Sequence, residues 1–415
     1  MFYSFIFYEY NTRAFLKSEV RTMDLFSKYN HPLLEMARKE GIYPYFHELQ
    51  SRQAPEVVME GHRIIMLGSN NYLGLTENQN VIDAGIKALE KYGSGCSGSR
   101  FLNGTLDLHK ELEGEIAKFL HKEDAVVFST GFQSNLGIIS ALAGFGDYIL
   151  NDRENHASIY DACKLSYAKV LRYRHSDMED LEAQLKSIPQ TAGILIVTDG
   201  VFSMRGDICK LPEICALAKK YGARVMVDDA HSLGVLGEGG RGTASYFGLE
   251  DQVDVIMNTF SKSLASIGGC MAASKKVCDY VRHVSRPFIF SASLTPASSA
   301  SALQALRELE ARPEMVTRLK ELGDYCRDAF RKRGLQIVEA STPIVPIYTY
   351  TPRRTFIIAQ KLFEKGVYVN PVVSPAAPEG ECLLRVTLMA THNEKLIDEA
   401  ADIIAEVVNN EKTED

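Results

Sequence analysis

The sequence has no CxxC pair among its eight cysteines, which stand apart at positions 96, 163, 209, 215, 270, 278, 326 and 382. That spacing offers none of the usual zinc or dithiol frameworks and suits free thiols in a reducing cytoplasm. Basic residues are outnumbered, 46 Lys and Arg against 53 Asp and Glu, for a net charge of −7. A nucleic-acid surface calls for the opposite balance, so no nucleic-acid partner is expected. There is no internal repeat and no low-complexity linker. An apolar run long enough to cross a bilayer, about 20 residues, is also missing. The nearest approach is the opening MFYSFIFYEY (1–10), which lacks the basic start and small-residue cleavage site of a signal peptide. It reads as a tail, as sequence ahead of a start at Met23, or as a weak membrane-surface contact. The expected location is the cytoplasm, with a peripheral position at the inner membrane as its variant.

What is present fits a soluble globular chain of 415 residues, 46% hydrophobic and 24% charged. Strand-like runs at Ala125–Ser129, Tyr148–Asn151, Gly193–Asp199, Arg224–Asp229, Val253–Asn258 and Gly268–Ala273 alternate with helical periodicity, as in Leu211–Tyr221. Several of these runs are continuously apolar, as strands covered on both faces must be. Upstream, Val57–Met59 and Ile64–Met66 flank a turn and predict a hairpin. After about residue 298 the texture changes. One long helical stretch, Ala297–Arg333, leads to short strands near Ile344–Tyr350 and Leu383–Leu388, then to an amphipathic helix at Leu396–Val408. The fold class expected is α/β. The expected domains are a tail and arm (1–69), a large domain (70–297) and a small α+β domain (298–415).

The chemistry concentrates in two stretches. Val225–Asp228 is an apolar run ending in Asp228, followed by Asp229, Ala230 and His231. Asn258-Thr259-Phe260-Ser261-Lys262-Ser263 ends a second run, placing Lys262 among small hydroxyl residues 31 positions after His231. A lysine at a strand end suits a Schiff base, and an aspartate ending a buried strand suits a pyridinium nitrogen. Together they point to pyridoxal 5′-phosphate as cofactor. Alone, Lys262 would read as an ordinary surface lysine.

Other segments admit two readings. Gly93–Gly98 matches GxGxxG, but helical rather than strand periodicity precedes it, so a dinucleotide fold does not follow. It is either a loop passing close to a ligand or a merely flexible one. Ser129–Asn135 turns from strand to helix, as a phosphate cradle or an ordinary N-cap would. Thr259 could add a hydroxyl to the same phosphate. His156 follows a strand, as a ring-stacking group or a satisfied loop histidine. His231 suits a contact to the ring hydroxyl or a helix cap. Arg385, in a strand-like run, is a carboxylate clamp or a solvent-facing charge.

The ordered set SNNYLGL (69–75), GSGCSGSRFLNGT (93–105), STGFQSN (129–135), NHAS (155–158), DGVFSMRGD (199–207), VDDAHSLGVLG (227–237), TFSKS (259–263), FSASLTPA (290–297) and LLRVTLMATH (383–392) resembles the α-oxoamine synthase family of pyridoxal-phosphate enzymes. The resemblance runs from about residue 24 to 408. It implies fold type I, a large domain with a mainly parallel seven-stranded sheet and a smaller C-terminal domain. The features SGSRFLNGT, STGFQSNLG and NPVVSPA (370–376) resemble the serine-using bacterial branch. This implies decarboxylative condensation of L-serine with a long-chain acyl-CoA such as palmitoyl-CoA, giving 3-ketodihydrosphingosine, CoA and CO2. Glycine C-acetyltransferase and 8-amino-7-oxononanoate synthase chemistry are the alternatives within the family, and an aminotransferase the alternative outside it.

By this resemblance, Lys262, His156, Asp228 and His231 are the catalytic residues. Lys262 is the covalent lysine and proton carrier, Asp228 the ring-nitrogen partner, His231 the ring-oxygen ligand and His156 the stacking group. Gly131, Phe132, Ser203 and Thr259 match cofactor contacts, and Ser291 and Ala292 contacts made from a second subunit. Asn70, Arg385 and Thr387 match positions for substrate binding. No metal is implied, and a homodimer with shared sites is.

Overall fold

A computed structural model of the protein describes residues 25–26, 31–374 and 376–411. The opening apolar run and Met23 lie outside the described residues. The central element is a sheet of seven strands: β3 (Asp124–Phe128), β4 (Tyr148–Asp152), β5 (Lys169–Tyr173), β6 (Ile194–Asp199), β7 (Arg224–Asp228), β8 (Val255–Thr259) and β9 (Gly269–Ala273), in the order β3-β9-β8-β7-β6-β4-β5. All run one way except β9, which is antiparallel to both neighbours.

Alternation along the strands shows why the runs are apolar throughout. Ala125 and Val127 enter one core with helices Gln79–Tyr92, Asp107–Phe119 and Pro296–Ala311. Val126 and Phe128 enter the other, with helices Gly131–Leu142, Ala157–Leu165 and Lys275–Val284. A strand covered on both faces has no position for a polar residue except at its ends. The polar ends of β6, β7 and β8 therefore gather along one edge, outside the carboxyl ends of the parallel strands. Open α/β sheets place their sites there.

A second core lies beside the first. It is built on β10 (Ile344–Tyr350), β13 (Cys382–Thr387) and β12 (Asn370–Val372), paired antiparallel in the order β10-β13-β12. Helices Glu314–Lys332, Pro352–Glu364 and Glu394–Asn410 cover it. The predicted hairpin forms as β1 (Glu56–Met59) and β2 (His62–Met66), and β2 pairs parallel with β11 (Val367–Tyr368). The N-terminal arm thus packs with the second core.

Two sequence expectations change. The helical stretch Ala297–Arg333 is two helices, Pro296–Ala311 and Glu314–Lys332, broken at Arg312-Pro313. Pro313 has no N–H for the bond that would continue the first helix. The first of the two packs against Gln79–Tyr92, with Leu303, Leu306 and Leu309 in the large-sheet core. The seventh strand, β5, is the one the apolar runs did not announce.

Candidate active site

A cavity of about 620 Å³ lies at the polar strand ends, closed on its far side by residues of the second core. Lys262, Asp228, His231, His156, Gly131, Phe132, Thr259, Ser203, Asn70 and Arg385 all line it. Three expected residues do not. Thr387 is fully buried and touches the site only by accepting from Arg385 Nη1 at 2.8 Å. Ser291 and Ala292 lie on the segment before helix Pro296–Ala311. Ala292 is exposed, and its carbonyl accepts from the Ser129 hydroxyl.

Lys262 rides a tight connection between antiparallel β8 and β9. Phe260 anchors this turn in the core, and its N–H donates to Gly268 O at 2.9 Å while its carbonyl accepts from Ser266 N at 3.0 Å. Burial of the amine lowers its pKa to about 8; the Arg385 charge adds to this and Asp228 opposes it. Such an amine is far more nucleophilic near neutrality than an ordinary lysine.

Asp228 ends β7, next to β8 in the sheet. Its Oδ1 accepts from Ala230 N at 3.0 Å and its Oδ2 from Asn135 Nδ2 at 2.7 Å. Asp199 ends β6 in register with Asp228. Burial, then the Asp228 charge, push the Asp199 carboxyl well above the usual range, and it accepts from His156 N at 3.4 Å. The His156 ring is lowered to about 4 by burial and by Lys262, so it is neutral at physiological pH. His231 is likewise depressed well below its ordinary value, by burial first and then by the Lys262 and Arg385 charges. Its Nδ1 lies 2.7 Å from the Tyr72 hydroxyl, which also accepts from Arg385 Nη2 at 3.4 Å. A hydroxyl already accepting from a cation is set to donate to Nδ1, which leaves Nε2–H as the donor of His231.

Arg385 is 4% exposed, which rules out the solvent-facing reading. Its Nε donates to Ser203 O, Nη1 to Thr387 and Nη2 to Tyr72. A guanidinium has five N–H groups, so one remains on each terminal nitrogen. Two remaining donors can serve the two oxygens of a carboxylate. Ser203, expected at the cofactor, contributes its carbonyl to this clamp. Asn70 Oδ1 is buried on the cavity wall without a hydrogen-bond partner among the described residues, an acceptor open to a ligand donor.

A turn able to take a phosphate forms at the start of helix Gly131–Leu142. Thr130 caps it by accepting from Gln133 N at 3.1 Å, and the N–H groups of Gly131 and Phe132 have no partner among the described residues. The Thr259 and Ser261 hydroxyls, 3.0 Å apart, stand beside them. Gly131 is required by proximity: a Cβ there would lie 2.5 Å from Thr259 Oγ1. Free amides at a helix N-terminus, two hydroxyls, a low-pKa amine and a strand-end carboxylate fit the phosphate, aldehyde and ring nitrogen of pyridoxal phosphate.

By contrast, the glycine-rich loop 93–98 does not line the cavity. It packs on the 290–296 segment, with Ser293 donating to Gly98 O at 3.0 Å. Sequence reasoning missed Tyr72, Asn135, Ser158 and Asp199, although all four fall within its motifs.

Comparison with known proteins accords with this geometry. Residues 62–404 match the family model "Aminotransferase class I and II". The chain belongs to that family. Within it, the α-oxoamine synthase resemblance holds. A serine palmitoyltransferase of Sphingobacterium spiritivorum is 51% identical over 375 residues, 90% of this chain and 94% of that protein. A high-resolution structure of SPT with PLP as its internal aldimine superposes with a TM-score of 0.90 at 38% identity, covering 93% of this chain and 98% of that one. An 8-amino-7-oxononanoate synthase of Symbiobacterium thermophilum is more distant, at 41% over 89% of this chain and 95% of its own length.

Proposed function

We propose that this chain is a pyridoxal-phosphate-dependent acyltransferase of the serine palmitoyltransferase type. It joins L-serine to a long-chain acyl-CoA, palmitoyl-CoA as the type substrate, and yields 3-ketodihydrosphingosine, CoA and CO2, an entry reaction to sphingolipids. The observation that carries this reading is the convergence of Lys262, Asp228 and the two-donor face of Arg385 on one cavity.

Pyridoxal phosphate bound here supplies an aldehyde for amines and an electron-deficient ring that stabilises negative charge at the amino acid's α-carbon. Lys262 would hold it covalently, and its amine, when free, would be placed to take a proton from the amino acid's α-carbon. Asp228 would face the ring nitrogen and favour its protonated form, and His231 would donate to the ring oxygen. Gly131, Phe132 and Thr259 would hold the phosphate. Arg385 would take the serine carboxylate, with Asn70 and His156 at hand, and so fix the orientation of the amino acid's α-carbon. A misplacement of about 1 Å at this step can cost roughly 100-fold in rate. Ser203 and Thr387 keep the Arg385 fork in place.

Val201, Met204, Val372, Val373 and Ala376 give the cavity an apolar wall, which suits an acyl chain better than an acetyl group. We further propose a homodimer in which Ser291 and Ala292 reach the partner's phosphate site. Their place outside the protomer's own cavity agrees with that. The eight cysteines are unpaired, which suits the cytoplasm. Among the described residues no helix is long and apolar enough to cross a membrane. The test of the reaction is thiol release from palmitoyl-CoA that depends on L-serine.

A further inference from the structure

A short chain of hydrogen bonds joins Asp228 to His156 behind the cavity wall. The Asn135 side-chain amide donates one hydrogen to Asp228 Oδ2 at 2.7 Å and the other to Ser158 Oγ at 2.8 Å. The Ser158 hydroxyl lies 2.7 Å from His156 Nδ1, and Ser158 N donates to the same nitrogen at 3.2 Å. Asn135 and Ser158 are each about 1% exposed, so water does not compete.

The direction of the chain follows from the inventory of donors. The Asn135 amide faces Asp228 Oδ2 with its nitrogen. That same nitrogen donates to Ser158 Oγ, which leaves the serine's single hydrogen for His156. Nδ1 then receives two donors, the hydroxyl and the Ser158 amide. A nitrogen that accepts twice is not protonated, so the ring proton is on Nε2.

We propose that Asn135 and Ser158 are positioning residues that transmit the polarity of Asp228 to His156 and fix it as the Nε2–H tautomer, a hydrogen-bond donor. The imidazole then offers the cavity an N–H while staying neutral, in line with its lowered pKa. The groups around it are Lys262, Asp228 and Asp199. With Nδ1 already engaged, the ring cannot switch tautomer without breaking both bonds to Ser158. The same polarity makes the orientation of the ring-nitrogen partner and of His156 one property. The destination of the N–H, a ligand carboxylate, rests on the proposed function. The tautomer does not.

Two measurements test the proposal. The first is long-range 15N–1H NMR of 15N-histidine-labelled protein, without serine or acyl-CoA, with His156 assigned through His156→Gln. The expected result is a protonated Nε2 and a bare Nδ1 in the unsubstituted chain, with a shifted Nδ1 resonance in Ser158→Ala, where the backbone amide is the one donor left to that nitrogen. A protonated Nδ1 in the unsubstituted chain overturns the proposal, whether or not the variant folds. The second is a double-mutant cycle on the cofactor-loaded enzyme. Ser158→Ala should lower serine-dependent kcat/KM roughly tenfold, the scale of one lost buried hydrogen bond, and by less than about twofold in a His156→Ala background. Equal effects in both backgrounds overturn it, because Ser158 would then act by some route other than His156. If no acyl transfer is found at all, the NMR result still stands by itself.

Discussion

At the scale of single residues, the site depends on charges kept at unusual settings by burial. Lys262, lowered to about 8, is the clearest case. Only the neutral amine attacks an aldehyde. Covalent capture of added pyridoxal phosphate by the apo-protein should therefore speed up as pH rises through about 8 and level off above it. A rate still climbing toward the ordinary 10.5 would show that the amine is not perturbed. Lys262→Ala should hold no cofactor that borohydride can fix to the chain; a labelled peptide from that variant would place the covalent lysine elsewhere. Arg385→Ala should weaken serine binding by about 1.5–3 kcal/mol, roughly ten- to a hundredfold, with a smaller effect on cofactor affinity. Arg385→Lys should not restore it, because an ammonium cannot serve Ser203, Thr387, Tyr72 and two carboxylate oxygens at once. Unchanged serine affinity in both variants would move the clamp to Asn70 and His156.

At the scale of elements, the site is held by contacts between a helix start and two strand ends. Gly131 lies against Thr259, and a Cβ on Gly269 would come within 2.7 Å of the Gly131 Cα. Gly131→Ala should thus push apart the cradle and β8, costing about 1–3 kcal/mol of stability and weakening cofactor binding together. Thermal melts with and without the cofactor would show it, and an unchanged melting temperature would contradict it. The same scale explains what could be read in advance. The strands β6, β7 and β8 were legible because burial on both faces leaves uninterrupted apolar runs. The edge strand β5, Lys169–Tyr173, was not, because it is covered unevenly and carries Lys169 and Arg172 on exposed positions. The helix break at Pro313 was marked by its proline, yet apolar periodicity on both sides hid it. Lys262, Asp228 and Arg385 were legible by residue type. Asn135 and Ser158 were not, since short polar residues announce no chemistry until folding supplies their partners, and Tyr72 was not, since a buried aromatic reads as core. The one signal was Asn135, a polar residue four positions after Gly131 and on the same helical face.

At the scale of the whole molecule, two large apolar side chains stand exposed, Leu102 at 76% beyond the glycine-rich loop and Phe290 at 79% at the start of the segment that loop packs on. Surfaces of this kind are covered in stable assemblies. The dimer reading predicts that Phe290→Asp combined with Leu102→Asp yields a folded protein that sediments as a monomer and loses most of its turnover. A fully active monomer would exclude shared sites. The central claim is the reaction itself, and one measurement tests it most directly: purified cofactor-loaded protein given palmitoyl-CoA with L-serine, glycine or L-alanine, followed by free CoA thiol and by 14CO2 from the carboxyl-labelled amino acid. The account predicts equal amounts of thiol and CO2, with L-serine far ahead of the other two. Thiol release with glycine and acetyl-CoA but not with serine and palmitoyl-CoA, or amino-group transfer to a 2-oxo acid with no thiol released, would contradict it.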